Sequence, residues 1–309
     1  MHSLKLINRE VAAESALSRK FNFPVTELLL LMVAIFWGTS YGLTKSALLY
    51  TSVLLFLCIR FSITFLCMLP FVVNDFRRGR NKDWLVAFPT GFILSAIFFC
   101  EVFGVFYTSA SNAAFLISLS VIMTALAELF INQQRISRRL LMLALCSVAG
   151  VWLLTSKESV SLSLNIGDYL ILLAALLRAI MVTSTKRLTN GKAITTTTLT
   201  ALQSLVVASC SLTAALIFLP RSEFALPLVG GFWIIIVYLV LFCTLFAFYV
   251  QNYSVRKTSP TRVSLLMGSE PLFGALFAAI WLQESLTALQ VFGGLIIFIC
   301  VIVTSLTER

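Results

Sequence analysis

Histidine is nearly missing from this chain of 309 residues: the only one is His2. Imidazole proton relays, Ser–His nucleophiles and histidine metal sites are thereby excluded from the rest of the sequence. Acids are also scarce, 13 Asp and Glu against 23 Lys and Arg, and Asp168 has no second aspartate at membrane depth to make a carboxylate dyad. No GxxxxGK[ST] stretch occurs, so ATP hydrolysis through a P-loop is excluded. The seven cysteines are scattered through apolar runs with no CxxC, which reads as small buried hydrophobes rather than ligands or redox pairs. No cofactor or metal is expected, and an enzyme is a poor reading.

What is abundant is grease. Apolar residues make up 59% of the chain and mean hydropathy is +0.97, the composition of a protein whose solvent is a bilayer. Ten runs of about 20 residues each match a hydrocarbon core of roughly 30 Å at ~1.5 Å per residue. They fall at 26–46, 51–73, 84–106, 110–131, 138–156, 166–186, 195–219, 228–252, 260–282 and 286–306. The expected fold is an all-α integral membrane protein of ten transmembrane helices.

The loops between runs alternate in charge. Arg19 and Lys20 precede the first run; Arg77, Arg78, Arg80 and Lys82 follow the second. Arg135, Arg138 and Arg139 follow the fourth, Lys186, Arg187 and Lys192 the sixth, and Arg256, Lys257 and Arg262 the eighth. The intervening loops hold only Lys157 and Arg221, with Lys45 at the end of the first run. Cytoplasmic loops retain Lys and Arg, so both termini are expected in the cytoplasm and the number of spans is even. This pattern explains the net charge of +10 without a nucleic-acid partner. Residues 1–25 read as a polar cytoplasmic tail, with Leu4, Ile7 and Val11 compatible with a short interfacial helix or a frayed end. The long run that follows reads as an uncleaved span rather than a secretory signal.

The two halves resemble each other at a spacing of about 150 residues. Leu69-Pro70 matches Leu219-Pro220, Thr108-Ser109 matches Thr258-Ser259, and Ala125-Leu126 matches Ala275-Leu276. Lys45 and Lys186 match after a gap. Five spans per half is an odd number, so the second copy, 166–306, is expected to enter the bilayer upside down relative to the first, 26–156. Inverted repeats place a site near the midplane between the halves and supply two related conformations for alternating access.

The residues then resemble a family. Phe36-Trp37-Gly38-Thr39-Ser40-Tyr41 with Lys45, Ile59-Arg60-Phe61, Tyr107-Thr108-Ser109-Ala110 and Gly167-Asp168 occur in order, followed by Glu270-Pro271-Leu272-Phe273, Gln283-Glu284-Ser285-Leu286 and Gly293-Gly294. Across residues 26–306 the chain resembles the ten-span EamA-type members of the drug/metabolite transporter superfamily. The resemblance implies a multi-pass carrier of the cytoplasmic (inner) membrane, often an exporter of small metabolites such as amino acids or amphiphilic toxins. It also implies a central cavity lined mainly by spans one, three, four, six, eight and nine. Ser120-Val121, Gln134 and Arg178 depart from the family pattern.

Ionisable residues at membrane depth normally face a cavity or a partner. Arg60, Arg178 and Glu270 fall near mid-bilayer, with Glu101 farther out in the third span; the first three leave one uncompensated positive charge. Arg178 is the candidate to meet a substrate carboxylate, Arg60 reads as a structural pair, and Glu270 or Glu101 is the candidate for a coupling proton. Trp37 and Tyr41, four apart on one helical face, are candidate pocket walls, as is the eighth-span stripe of Phe242, Phe246 and Tyr249. Asn112 is a candidate hydrogen-bonding group. Gly38-x-x-x-Gly42 permits close helix approach.

The expected function is secondary transport of a small amino-acid-like, zwitterionic or amphiphilic metabolite by uniport, exchange or proton coupling. A channel or membrane assembly protein without carrier activity is the alternative. The partners expected are a small-molecule substrate and membrane lipids, with a homodimer left open.

Overall fold

The computed structural model describes residues 25–108, 110–134, 136–155, 165–281 and 287–306, with backbone alone at 110–112, 155, 222 and 278–281. Every regular element among them is helical. In chain order they are α1 (Val25–Ala47), α2 (Val53–Arg77), a 3-10 turn (Trp84–Val86) leading into α3 (Ala87–Tyr107), α4 (Ala110–Ser118) and α5 (Ser120–Ile131). There follow α6 (Arg138–Thr155), α7 (Ile166–Thr189), α8 (Thr196–Phe218), a 3-10 turn (Arg221–Phe224) and α9 (Gly230–Tyr238). A π-helical segment (Leu239–Phe246), α10 (Ala247–Lys257), α11 (Pro260–Met267), α12 (Glu270–Trp281) and α13 (Ala288–Leu306) complete the described chain.

Eight helical stretches among the described residues are long and apolar enough to cross a membrane. The sequence predicts ten. Helix α6 (Arg138–Thr155) is not among the eight. The α11–α12 pair falls short because Gly268 and Ser269 divide it into helices of 8 and 12 residues. A Cβ at Gly268 would overlap Val121 of α5. The α4–α5 pair breaks at Leu119, 150 residues before Ser269, so both copies are interrupted at the same place.

Local chemistry sets the helix ends. Asn165 and Asp168 form a reciprocal capping box at the start of α7, each side chain accepting the other's backbone N–H at 3.0 Å. Thr195 caps α8 by accepting Thr198 N–H, and Ser259 caps α11 with Pro260 at its first turn. Outward faces are greasy: Leu66, Phe71, Phe130, Leu216, Phe218 and Ile234 are all more than half exposed, as lipid contact requires.

The most extensive helix contacts join one copy to the other. Helix α2 packs on α8, α3 on α7, α6 on α13, and α1 on α12. Glycines permit the closest crossings. Gly38 of α1 lies against Gly274 of α12, and Gly150 of α6 against Gly293 of α13; an added Cβ would meet backbone within 3 Å at each of the four. Gly42, by contrast, faces open space, so only the first glycine of Gly38-x-x-x-Gly42 serves a helix crossing, and its partner lies in the other copy.

Candidate functional site

A narrow cavity lies between the copies, enclosed by α1, α2, α3, α7, α10 and α12. Trp37, Tyr41, Arg60, Glu101, Arg178 and Glu270 all line it, joined by Thr44, Phe98, Val105, Phe248 and Gln251. The cavity volume is about 20 Å³, little more than one water needs. Six of the ten residues singled out from sequence therefore meet in one place. Tyr249 does not: it is 39% exposed, while its neighbours Phe248 and Gln251 face the cavity. The sequence stripe assumed a continuous α-helix. The π-helical segment adds backbone per turn and rotates everything after Phe246. Phe242 and Phe246 instead pack on Phe36, tilted and edge-to-face, with centroids 4.8 and 5.7 Å away. The side chain of Asn112 lies outside the described residues.

Arg178 is held between two carboxylates. Nη1 lies 3.1 Å from Glu270 Oε1 and Nη2 lies 3.7 Å from Glu101 Oε2, while the guanidinium stacks over the Trp37 ring at 4.6 Å. Tyr41 donates to Glu270 Oε1 at 3.2 Å. The other carboxylate oxygen, Glu270 Oε2, is buried with no hydrogen-bond partner, as is Gln251 Oε1. Glu101, expected farther out, thus joins the central charges, and the count changes. Two guanidinium and two carboxylate groups sum to zero where the sequence suggested a surplus positive charge.

Arg60 stands apart from that triad. Nε donates to Thr244 Oγ1 at 2.7 Å and Nη2 to the Cys243 carbonyl at 3.4 Å, and the group lies 5.7 and 5.4 Å from the Phe61 and Phe98 ring centroids. No carboxylate among the described residues comes within 4 Å of it. The Cys243 carbonyl also accepts from Trp37 Nε1 at 2.9 Å. The π-helical segment thereby supplies one carbonyl and one hydroxyl to two side chains that line the cavity, Trp37 and Arg60. Wide helical turns of this kind recur at functional sites. Only a structure reveals this one, since no residue pattern in 239–246 announces it.

Both ends of the cavity are tied by matched contacts. Lys45 donates to the Thr108 carbonyl at 3.0 Å, and Lys186 to the Thr258 carbonyl at 3.1 Å. Between copies, Thr108 Oγ1 donates to Asp168 at 2.6 Å at one end. The other end is tied more heavily. Glu27 pairs with Arg262 at 2.9 Å, Glu128 accepts from the backbone and hydroxyl of Thr261, and Ser264 bonds Thr124 at 3.0 Å. Residues 260–272 are buried without exception. The cavity leans toward the other end, where Thr44 and Val105 lie one and three residues from Lys45 and Thr108. A buried polar set away from the cavity, Asn252 with Gln203 and Thr200 and Gln203 with Thr90, escaped sequence reading because single amides in apolar runs carry no spacing signal.

Comparison with known proteins agrees with this architecture. An uncharacterized transporter from Archaeoglobus fulgidus is 27% identical over 284 residues, covering 91% of this chain and 85% of its own. The uncharacterized transporter YyaM from Bacillus subtilis is 22% identical over 292 residues, covering 90% and 92%. A solved structure matches with a TM-score of 0.75 at 16% identity, over 91% of this chain and 96% of that one, which bears on the fold alone. The model of the EamA-like transporter family matches residues 25–156 and again 165–306. This multi-pass membrane protein belongs to the EamA-like transporter family of the drug/metabolite transporter superfamily.

Proposed function

We propose that the protein is a secondary carrier that exports a small polar metabolite, amino-acid-like or zwitterionic, across the cytoplasmic membrane by alternating access. The observation that carries this reading is the convergence of Arg60, Glu101, Arg178 and Glu270 on one cavity between the two copies. Buried charge at that depth is costly and is retained where it serves a ligand or an ion. In this reading all ten helical runs cross the bilayer, the copies are inverted, and both termini lie in the cytoplasm.

The lysine ties are then the two gates. Thr258 and α11 lie at the cytoplasmic end, where Arg256, Lys257 and Arg262 cluster; Thr108 lies at the outer end. The tight packing of residues 260–272 supports a resting form closed to the cytoplasm. A cavity of about 20 Å³ is too small for an amino acid, so loading requires the copies to separate. Transport proceeds by uniport or exchange, or is coupled to protons through Glu270 or Glu101.

The test is counterflow. Proteoliposomes are loaded with the twenty common amino acids, unlabelled, and given a trace of the same mixture tritiated outside. A carrier accumulates label transiently above its equilibrium level, and the overshoot disappears when the internal pool is omitted. Monotonic equilibration at a rate that never saturates would mark a channel and end the carrier reading.

A further inference from the structure

Charges that sum to zero are not thereby paired. Arg178 satisfies one unit of the charge on Glu101 and Glu270, so that triad carries one negative charge in excess. Its excess is local: Glu270 Oε2 is buried without a hydrogen-bond partner, and Gln251 Oε1 adds a second buried acceptor in the same state. The matching positive charge sits on Arg60, which also lines the cavity, hydrogen-bonds only neutral groups, and has no carboxylate within 4 Å among the described residues. Trp37 stands between the poles, its face under Arg178 and its N–H on the Cys243 carbonyl that Arg60 shares.

We propose that the cavity is built for a zwitterion, with Arg60 as the subsite for the ligand's anionic group and Glu270 Oε2, with Glu101 beside it, as the subsite for its ammonium. The proposal rests on the carrier reading and reverses the roles expected from sequence. Arg178 is already engaged by two carboxylates, so Arg60 takes the ligand's carboxylate. A zwitterion pairs both unspent charges and leaves the loaded site neutral. A simple amine leaves Arg60 unmatched, and a simple carboxylate leaves the triad unmatched; an unpaired charge at this depth is heavily penalised.

The experiment is a ligand-binding panel on the purified full-length protein, read as thermal stabilisation, since a ligand selective for the folded state raises its stability by mass action. The probes are matched sets: L-leucine, 3-methylbutylamine and 4-methylpentanoate; L-phenylalanine, 2-phenylethylamine and 3-phenylpropanoate; with glycine, 4-aminobutanoate and 6-aminohexanoate to vary the distance between charges. At least one zwitterion is expected to bind ten times more tightly than its amine and carboxylate analogues. Arg60→Gln should erase the advantage over the amine, and Glu270→Gln the advantage over the carboxylate. These opposite switches would not arise from a merely structural role. If Arg60→Gln does not fold, the wild-type panel and Glu270→Gln decide the matter. An amine or carboxylate binding as tightly as its zwitterion, both variants losing all ligands alike, or no response to any zwitterion in the panel would overturn the proposal. Counterflow of an amine would leave the carrier reading standing while this one fell.

Discussion

Adding one methyl group at Gly38 should disable the site without touching any charged residue. A Cβ there would lie 2.6 Å from the Glu270 carbonyl oxygen and 2.7 Å from Gly274 N. Ordinary contact begins near 3.4 Å, so α1 and α12 must part by about 0.8 Å. Both obstructing atoms are backbone, and no rotamer change can relieve them. Overpacking of this kind destabilises by roughly 1–3 kcal/mol. The Tyr41–Glu270 hydrogen bond spans the same crossing and is already 3.2 Å long, so separation breaks it. Gly42→Ala is the control: it lies one turn away in the same helix, has nothing within 4 Å, and replaces glycine at a helical position that favours alanine by roughly 1 kcal/mol. Thermal unfolding in detergent and counterflow in liposomes should therefore separate the two. Gly38→Ala is expected to unfold earlier and transport poorly, Gly42→Ala to match or exceed wild type on both. Equal behaviour of the two variants would refute the claim that α1 and α12 hold the site by direct backbone contact.

Arg178→Ala leaves Glu101 and Glu270 facing each other without a cation, and breaking a buried pair in this way costs roughly 3–5 kcal/mol. Saturable flux should vanish; adding Glu270→Gln to that variant should restore the unfolding midpoint but not the flux, and wild-type kinetics from the single variant would remove Arg178 from the site. Glu270→Gln should abolish any dependence of transport on a pH gradient, measured with a pH-sensitive dye inside liposomes; coupling that persisted would mean the proton travels through another group. Arg262→Gln frees Glu27 from its cation and should increase thiol labelling of a cysteine introduced at Ser264 from the α11 side. Unchanged labelling would show that the Glu27–Arg262 pair is not what keeps that end shut.

The helices were legible because apolar runs of bilayer length carry a strong signal, and their ends agree with the structure to within a few residues. The charges were legible too, since Arg60, Arg178 and Glu270 are conspicuous inside such runs. Their partnership was not. Glu101 sits near the end of its run, and a straight-rod count sets it farther out than Arg178, whereas a guanidinium stem extends several ångströms along a helix axis. Tyr249 was misplaced for a different reason: periodicity extrapolates through a π-helical segment as though each turn held the usual number of residues, and the face it names rotates away. Pairs such as Glu27–Arg262 lie 235 positions apart and obey no spacing rule that one sequence could reveal.

Near-symmetry of the two copies makes their differences informative. Glu270 stands 150 residues after Ser120, and Glu128 stands 150 before Ala278, so neither carboxylate has a counterpart in the other copy. Glu128 receives the first-turn N–H of Thr261 at the start of α11, where the helix dipole favours an anion, and Glu27 fixes Arg262 one residue on. The matching junction between α3 and α4 is held across the copies by the Thr108 hydroxyl on Asp168. Two copies with equal ties would open at either end with equal ease. In the proposed carrier cycle, unequal ties would bias the resting form toward closure at α11, and a ligand would supply the difference in free energy before that end could open. On the carrier proposal the bias rests on Glu128, which the repeat does not match, and exchanging the residues at 128 and 278 should move it toward the opposite end.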